Sequence, residues 1–232
     1  MVLFLYLEDM ICGAMKMAKL NRAGRKHPRK ENIKTPGPGN YLIVTEGIET
    51  EPNYFNGIKQ RIESLFKSKI IVDKVSLKVE GRGRSTTSLV NEALKLRSLS
   101  TYSEVWVVFD RDENPDFDEA IQLAKKNDLK VAWSNECFEL WLSLHFQNLN
   151  SAISAKEYYP KLNAHFKSRN INNGIYNKNA KNIFDVTFDF VNDAIKRSNT
   201  LFDSYKNCSL PTKMNPCTKV QDLVEDLVKY IK

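Results

Sequence analysis

The feature that most constrains the fold is an alternation of short apolar runs with longer amphipathic runs between residues 41 and 146. Short apolar runs bounded by turn residues favour strands, and apolar residues at three- and four-residue spacing favour helices. The sequence predicts strands at residues 41–45, 75–81, 104–110 and 130–134, and helices at residues 51–66, 88–99, 116–128 and 135–146. Because strands that alternate with helices pair in parallel, we expect an α/β, Rossmann-like fold with a mostly parallel sheet.

The segments on either side of this alternation have a different composition. The stretch TPGPGN at residues 35–40 is a linker, since Pro and Gly oppose the interiors of helices and strands. After residue 150 Asn and Lys become frequent, and amphipathic runs at 180–198 and 218–232 predict helices with a loop at 209–218 between them. The expected organisation is a disordered basic N-terminal arm (1–34), an α/β domain (35–149) and a helical C-terminal extension packed on the sheet (150–232).

The positive charge of the chain is concentrated near its start. Residues 17–34 hold seven Lys or Arg against Glu31 alone, which gives +6 of the total of +7. Such an arm attracts phosphate through counterion release, so nucleic acid is the expected partner. A solvated tail that aids solubility is the alternative, and Met17 is an alternative start that would open the chain with this arm.

The composition argues against several classes of protein. No apolar run approaches the roughly 18 residues of a membrane span, and the opening MVLFLYLEDM lacks the cleavage site of a signal peptide. The four cysteines form no CxxC pair and the chain has three histidines, so no zinc site is expected. We expect a cytoplasmic protein with reduced thiols and no contact with a membrane.

Acidic residues follow two of the predicted strands directly. Glu46 follows the first strand, and Asp110 ends the strand at 104–110. Asp112 comes two residues later, so in a regular strand Asp110 and Asp112 would share a face. Because ligands of parallel sheets gather at the carboxyl ends of the strands, these acids are expected on one rim. Carboxylates this close would repel one another unless a hard cation such as Mg²⁺ lay between them. The pattern therefore predicts a metal site, although an isolated Asp-x-Asp is more often a loop.

Five further residues are candidates for supporting roles. Glu49 and Glu51 extend the acidic group or bind a second ion, but they also suit the first turn of the helix that follows. Glu139 flanks an apolar helical stripe, from which it would reach a cation or orient Arg84. Arg82 and Arg84 lie in the loop GRGRS before a helix, where they would hold substrate phosphate, unless the loop is an ordinary turn.

Other polar residues near these sites have simpler interpretations. Glu113 is either a ligand or a solvated acid. Asp116 or Asp118 is predicted to cap the helix that begins near residue 117. His145 is predicted to be a buried structural histidine.

Longer strings around these acids resemble known families. The strands that end in Glu-Gly and in Asp-x-Asp resemble the Toprim domain of topoisomerases, primases and OLD-type nucleases. The surrounding stretches resemble the RloB-like family of prokaryotic abortive-infection proteins from about residue 41 to 149 and again from about 215. These stretches are TEGIETEPNYF, VEGRGRSTTSLVNEA, VWVVFDRDENPDFDEAIQLAKKN, SNECFELWLSLHF and NPCTKVQDLVEDL. Residues 150–210 match weakly, so no role is carried over to them.

The resemblance implies a Toprim-like fold and phosphodiester cleavage that depends on Mg²⁺, with Mn²⁺ as an alternative. It implies that Glu46 is the acid–base residue and a metal ligand, and that Asp110 and Asp112 bind the metal. Hydrolysis of DNA or RNA by water is expected, since no domain that carries a nucleophilic tyrosine is evident. It also implies a separate ATPase partner in phage defence. The alternatives are a non-catalytic nucleic-acid-binding or regulatory subunit and a primase-like nucleotidyl transferase.

Overall fold

The chain folds around a five-stranded sheet in the order β2-β1-β3-β4-β5. The structure is a computed structural model, and it describes residues 37–66, 70–74, 85–112 and 114–231. Four strands are parallel, and the last is antiparallel to β4. The strands are β1 (Tyr41–Thr45), β2 (Ile70–Lys74), β3 (Glu104–Asp110), β4 (Lys130–Asn135) and β5 (Cys217–Thr218). The predicted α/β class and mostly parallel, Rossmann-like sheet are confirmed.

Helices cover both faces of this sheet. They are α1 (Thr50–Leu65), α2 (Thr86–Ser98), α3 (Phe117–Lys126), α4 (Glu139–Leu144), α5 (Ala155–Ser168), α6 (Ile183–Thr187), α7 (Val191–Asp203) and α8 (Val220–Val228). Successive strand residues point to opposite faces, so β1 contributes to two cores. Ile43 packs with α1 and the C-terminal helices, whereas Leu42 packs with α2 and α3.

The C-terminal extension shares the larger core rather than forming one of its own. Helix α5 packs on α4, α7 packs on α4 and β5, and α8 packs on β4. Two buried hydrogen bonds tie this region together, from Ser198 to Gln221 at 2.7 Å and from the Thr218 hydroxyl to the Trp133 carbonyl at 3.1 Å. The predicted helical extension is thereby confirmed as part of the fold.

Several predicted boundaries differ from the structure. Strand β2 lies at 70–74, before the predicted strand at 75–81, whose residues lie outside the described part. Helix α4 has six residues rather than the predicted twelve, because Asn135 belongs to β4, residues 136–138 form a loop and the helix ends at Leu144. The helix predicted at 180–198 is divided into α6, a 3₁₀ turn and α7. At the division the Thr187 hydroxyl bonds to the carbonyls of Ile183 and Phe184, which competes with regular helix bonding.

Two elements were not predicted at all. Strand β5 lies within the predicted loop at 209–218, and two residues are too few to give an alternating pattern. Helix α5 contains Pro160, which weakens its pattern. The sequence nevertheless contains a signal for the start of this helix, because Ser154 and Glu157 have the spacing of a capping box, which they form in the structure.

The described residues also bear on the predictions about membrane spans and cysteines. No helix in the described ranges is both long and apolar enough to cross a membrane. Cys137, Cys208 and Cys217 are free thiols. The basic arm at 1–34 lies outside the described residues.

Candidate functional site

Glu46 directly follows β1 and continues its pairing with β3. Its backbone N–H donates to the carbonyl of Val108 at 2.9 Å, so Glu46 lies beside the carboxyl end of β3. The Thr45 hydroxyl donates to the Gly47 carbonyl at 3.0 Å and closes the turn that follows. A Cβ at Gly47 would overlap the carboxylate of Glu51. The Glu-Gly pair therefore ends the strand and leaves room for a second acid.

Asp110 is the last residue of β3 and is held on two sides. Its Oδ2 accepts a hydrogen bond from the backbone N–H of Phe138 at 2.9 Å. The side-chain amide of Asn114 lies 3.3 Å from Oε1 of Glu46 and 3.3 Å from the carbonyl of Asp110. Asn114 thus joins the ends of β1 and β3. The other carboxylate atom, Oδ1 of Asp110, is buried and accepts no hydrogen bond from the described residues.

Asp112 lies in a turn rather than in the strand. Its φ is +36°, and its N–H donates to the carbonyl of Glu136 at 3.1 Å. The strand period of two, on which the Asp-x-Asp prediction depended, therefore does not reach Asp112. The two carboxylates still interact. Burial is the main cause that raises the pKa of Asp110, and the charges of Glu51 and Asp112 come next.

Glu51 and Glu139, which the sequence left between two roles, lie beside these acids. Glu51 is 8% exposed in the first turn of α1, and Glu139 is 3% exposed at the start of α4. Burial raises the pKa of Glu51 from 4.5 to about 7, and the charges of Glu139 and Glu46 add to this effect. We call Glu46, Glu51, Asp110, Asp112 and Glu139 the acid cluster. The charges of the other members oppose the ionisation of Glu51 and Asp110, as like charges do when water is excluded.

Residues from the C-terminal extension reach the same cluster. The Tyr176 hydroxyl donates to Oε1 of Glu139 at 2.9 Å, and Nζ of Lys178 lies 3.5 Å from that oxygen. The Thr50 hydroxyl donates to the Lys178 carbonyl at 3.3 Å. Burial, and then the charge of Glu139, raises the pKa of Tyr176, so its hydroxyl stays protonated at ordinary pH. The extension therefore supplies one neutral donor and one cation.

The other candidate residues lie elsewhere or outside the described part. With its amide nitrogen facing Glu49, Asn179 donates to both carboxylate oxygens, at 2.7 Å to Oε1. Glu49 is thus held by the extension. Arg82, Arg84 and Glu113 lie outside the described residues.

The start of α2, where the GRGRS loop was expected to hold phosphate, is occupied by a carboxylate of the protein. Asp116 accepts hydrogen bonds from the backbone N–H groups of Thr86 at 3.1 Å and Thr87 at 2.8 Å. Asp116 is the N-cap residue of α3, as predicted, but its side chain makes no capping hydrogen bond to that helix. Asp116 caps α2, and Asp118 accepts a hydrogen bond from the Thr212 hydroxyl at 2.6 Å. The amides that begin α2 are therefore already satisfied.

His145 is structural, as its sequence context predicted. It is buried between the Tyr54 hydroxyl, 3.2 Å from Nε2, and the Trp141 carbonyl, 3.0 Å from Nδ1. Burial lowers its pKa to about 4, so the ring is neutral at ordinary pH.

Sequence reasoning did not identify Asn114, Tyr176 or Lys178. Asn114 precedes a proline, and Asn-Pro is a turn signal that marks a loop without giving its contacts. Tyr176 and Lys178 lie in NINNGIYNKNAKN, which has neither a helical nor a strand period. Within the ranges that the structure describes, no group of three or more His, Cys, Asp or Glu is arranged to hold a metal ion.

Comparison with known proteins gives one family. The family model described as RloB-like protein matches residues 41–227, which is most of the chain. No significant match is found among curated proteins or among solved structures. Membership of this family suggests a defence-associated protein. The sheet, the acid cluster at its rim and most of the extension all lie within the matched range, and the chain belongs to the RloB-like family.

Proposed function

We propose that this protein is a metal-dependent, Toprim-type nuclease that hydrolyses phosphodiester bonds of nucleic acid in prokaryotic abortive-infection defence. The observation that carries the proposal is the joining of Glu46 and Asp110 at adjacent carboxyl ends of parallel strands through Asn114. Ligands of open parallel sheets bind at this edge. Buried acids at such a position, with raised pKa values, are candidates for chemistry.

The residues of the cluster suit a hard divalent cation. Oδ1 of Asp110 is a buried oxygen that no described residue supplies with a hydrogen bond, and the pKa of Asp110 is raised by burial and by neighbouring carboxylates. A cation would relieve this repulsion. Mg²⁺ is usually held through one or two carboxylates and keeps several waters, so a group of three protein ligands is not required. One or two of Asp110, Asp112 and Glu46 would bind Mg²⁺ or Mn²⁺ directly. The remaining acids, with Glu51 and Glu139, would lie close enough to bind the waters of the ion.

Each side chain has a distinct part in this proposal. When bound, the ion would activate a water and neutralise charge on the leaving oxygen. Glu46 would transfer the proton, and Asn114 would fix its carboxylate relative to Asp110. Tyr176 and Lys178 would hold Glu139 in place through its Oε1.

A non-catalytic nucleic-acid-binding or regulatory subunit is a second candidate, and a specific observation favours it. The protein partly neutralises its own acids, through Lys178 and Tyr176 on Glu139 and through the Phe138 N–H on Asp110. A site that never binds a metal would need such internal partners.

In the decisive experiment, purified protein is incubated with a mixture of DNA and RNA in Mg²⁺ or in EDTA. Each reaction is run with and without the ATPase that is expected as its partner. We expect cleavage in Mg²⁺ by the wild type and none by Asp110→Asn, with the fold intact. Mg²⁺ should also raise the melting temperature of the wild type but not of Asp110→Asn, since a ligand stabilises only the state that binds it. If neither effect is observed, the proposal of a non-catalytic binding subunit replaces the nuclease proposal.

A further inference from the structure

We propose that residues 155–181, the basic segment, form the surface that holds the phosphodiester backbone of the substrate beside the acid cluster. This inference rests on the proposed function and adds a substrate-binding site to it. The segment has a net charge of +5, because it contains six Lys or Arg residues and one acid, Glu157. Residues 35–232 carry only +2, so the rest of that stretch carries −3. The basic residues are Lys156, Lys161, Lys167, Arg169, Lys178 and Lys181.

One end of the basic segment contacts the cluster directly. Nζ of Lys178 lies 3.5 Å from Oε1 of Glu139. The Lys178 side chain is 48% exposed and that of Glu139 is 4% exposed. The ammonium group therefore links the buried acid to solvent, where an incoming phosphate would meet it.

Helix α5 carries the basic surface away from this contact. Nζ of Lys178 lies 5.5 Å from the ring centroid of Tyr159 in α5. The rings of Tyr159 and Tyr176 are 5.6 Å apart, and α5 packs on α4, which begins with Glu139. Lys156 is exposed and precedes Tyr159 by three residues, so it lies one turn away on the same helix face. Lys156 and Lys178 thus flank one tyrosine at the edge of the cluster.

The single acid in the basic segment is already included in its net charge of +5 and lies at the start of α5. Oε2 of Glu157 accepts a hydrogen bond from the backbone N–H of Ser154 at 2.8 Å and completes the cap of α5. Its carboxylate is therefore used locally. A polyanion that approaches the acid cluster is repelled by it, and the cations of the basic segment would offset this repulsion.

The extent of the surface indicates a polymer rather than a mononucleotide. Lys156 and Lys167 are eleven residues apart on α5, which corresponds to about 16 Å along the helix. One strand of B-DNA has a phosphate about every 3.4 Å of axis, so about five phosphates span this distance.

The test is the salt dependence of binding, measured in EDTA so that no cleavage occurs. Lys156→Gln, Lys178→Gln and Lys181→Gln are combined in the full-length chain. The control combines Lys95→Gln, Lys125→Gln and Lys126→Gln, exposed lysines of α2 and α3 on the opposite face of the sheet. The probes are single-stranded DNA, single-stranded RNA and duplex DNA, with vesicles of anionic lipid in parallel. Circular dichroism and thermal unfolding verify that each variant is folded.

We expect the first triple variant to lower the log–log salt slope by about 2–3, at about 0.9 for each lost contact with a duplex phosphate and about 0.7 for a single strand. The control should keep the wild-type slope, and arginine at the same three positions should restore it. An unchanged slope while the wild type binds would overturn this inference and leave the nuclease proposal intact. Wild type that binds no nucleic acid would overturn both. If the first triple variant loses binding to anionic vesicles but not to nucleic acid, the basic segment binds a lipid surface and this inference is wrong.

Discussion

Replacing Glu51 with Gln should make the protein more stable at alkaline pH, although it removes a charged residue from the candidate site. Burial raises the pKa of Glu51 from 4.5 to about 7. Between these values the folded state holds a proton that the unfolded state has released. The favourable contribution of this group is therefore complete below about pH 4.5 and is lost as the pH rises through about 7.

The size of the effect follows from the same shift. Each pKa unit corresponds to about 1.4 kcal/mol, so a rise from 4.5 to about 7 gives about 3 kcal/mol. Gln has no charge at any pH and approximates the protonated Glu51 side chain. The free energy of unfolding of Glu51→Gln should exceed that of wild type by up to about 3 kcal/mol at about pH 8, and the difference should vanish near pH 4.

Urea denaturation in EDTA across this pH range measures the difference directly. Glu49→Gln is the matched control, because Glu49 lies two residues earlier and bonds to Asn179 instead of joining the cluster. It should be slightly less stable than wild type at about pH 8, because it loses a carboxylate that accepts hydrogen bonds from Asn179. If Glu51→Gln is less stable than wild type at about pH 8, the ionised Glu51 carboxylate does not destabilise the folded state and the reasoning is wrong.

Four further predictions concern the site and the arm. Glu46→Gln should still bind substrate but lose about 10²- to 10⁴-fold in single-turnover cleavage, whereas Glu49→Gln should lose less; equal rates in wild type and Glu46→Gln would exclude an acid–base role. Asp110→Asn should abolish cleavage, and a thermal unfolding scan in EDTA should find it at least as stable as wild type, because Asn removes a buried charge. Gly47→Ala should lower the free energy of unfolding in urea by at most about 1 kcal/mol, because its Cβ overlaps only the end of the flexible Glu51 side chain, which can move aside. Deleting residues 1–34 should lower the salt slope of nucleic-acid binding by about 0.9 for each lost phosphate contact, and an unchanged slope would show that the arm does not touch the substrate.

The sequence identified those parts of the site that follow from local pattern. Glu46 and Asp110 were expected together because each ends an apolar run, and parallel pairing of β1 with β3 brings such ends to one edge. Asn114 and Tyr176 could not be found in this way. Their partners are 68 and 37 residues away, and the contacts depend on how loops and helices pack rather than on a repeating pattern.

The local sequence pattern predicts side-chain positions up to the end of β3, but not in the turn that follows this strand. Strand period predicts the direction of a side chain only while the strand continues. At Asp112 the backbone enters the left-handed region, and it is held there by the hydrogen bond from its N–H to the Glu136 carbonyl. The Asp-x-Asp spacing therefore identified two acids that interact in the structure, but it did not predict the local geometry of Asp112.

The late position of the extension in the chain determines when the site can form during synthesis. At 5–20 residues per second, a ribosome needs roughly 3–14 s to add the residues between Asp110 and Lys178. During that time the sheet face that α5, α7 and α8 finally cover has only earlier helices against it. The nascent chain thus carries an exposed apolar face, and Glu139 lacks its partners Tyr176 and Lys178, until the extension has been synthesised. If the proposed nuclease is toxic to its own cell, this order of synthesis would delay its activity until the extension has been added to the sheet.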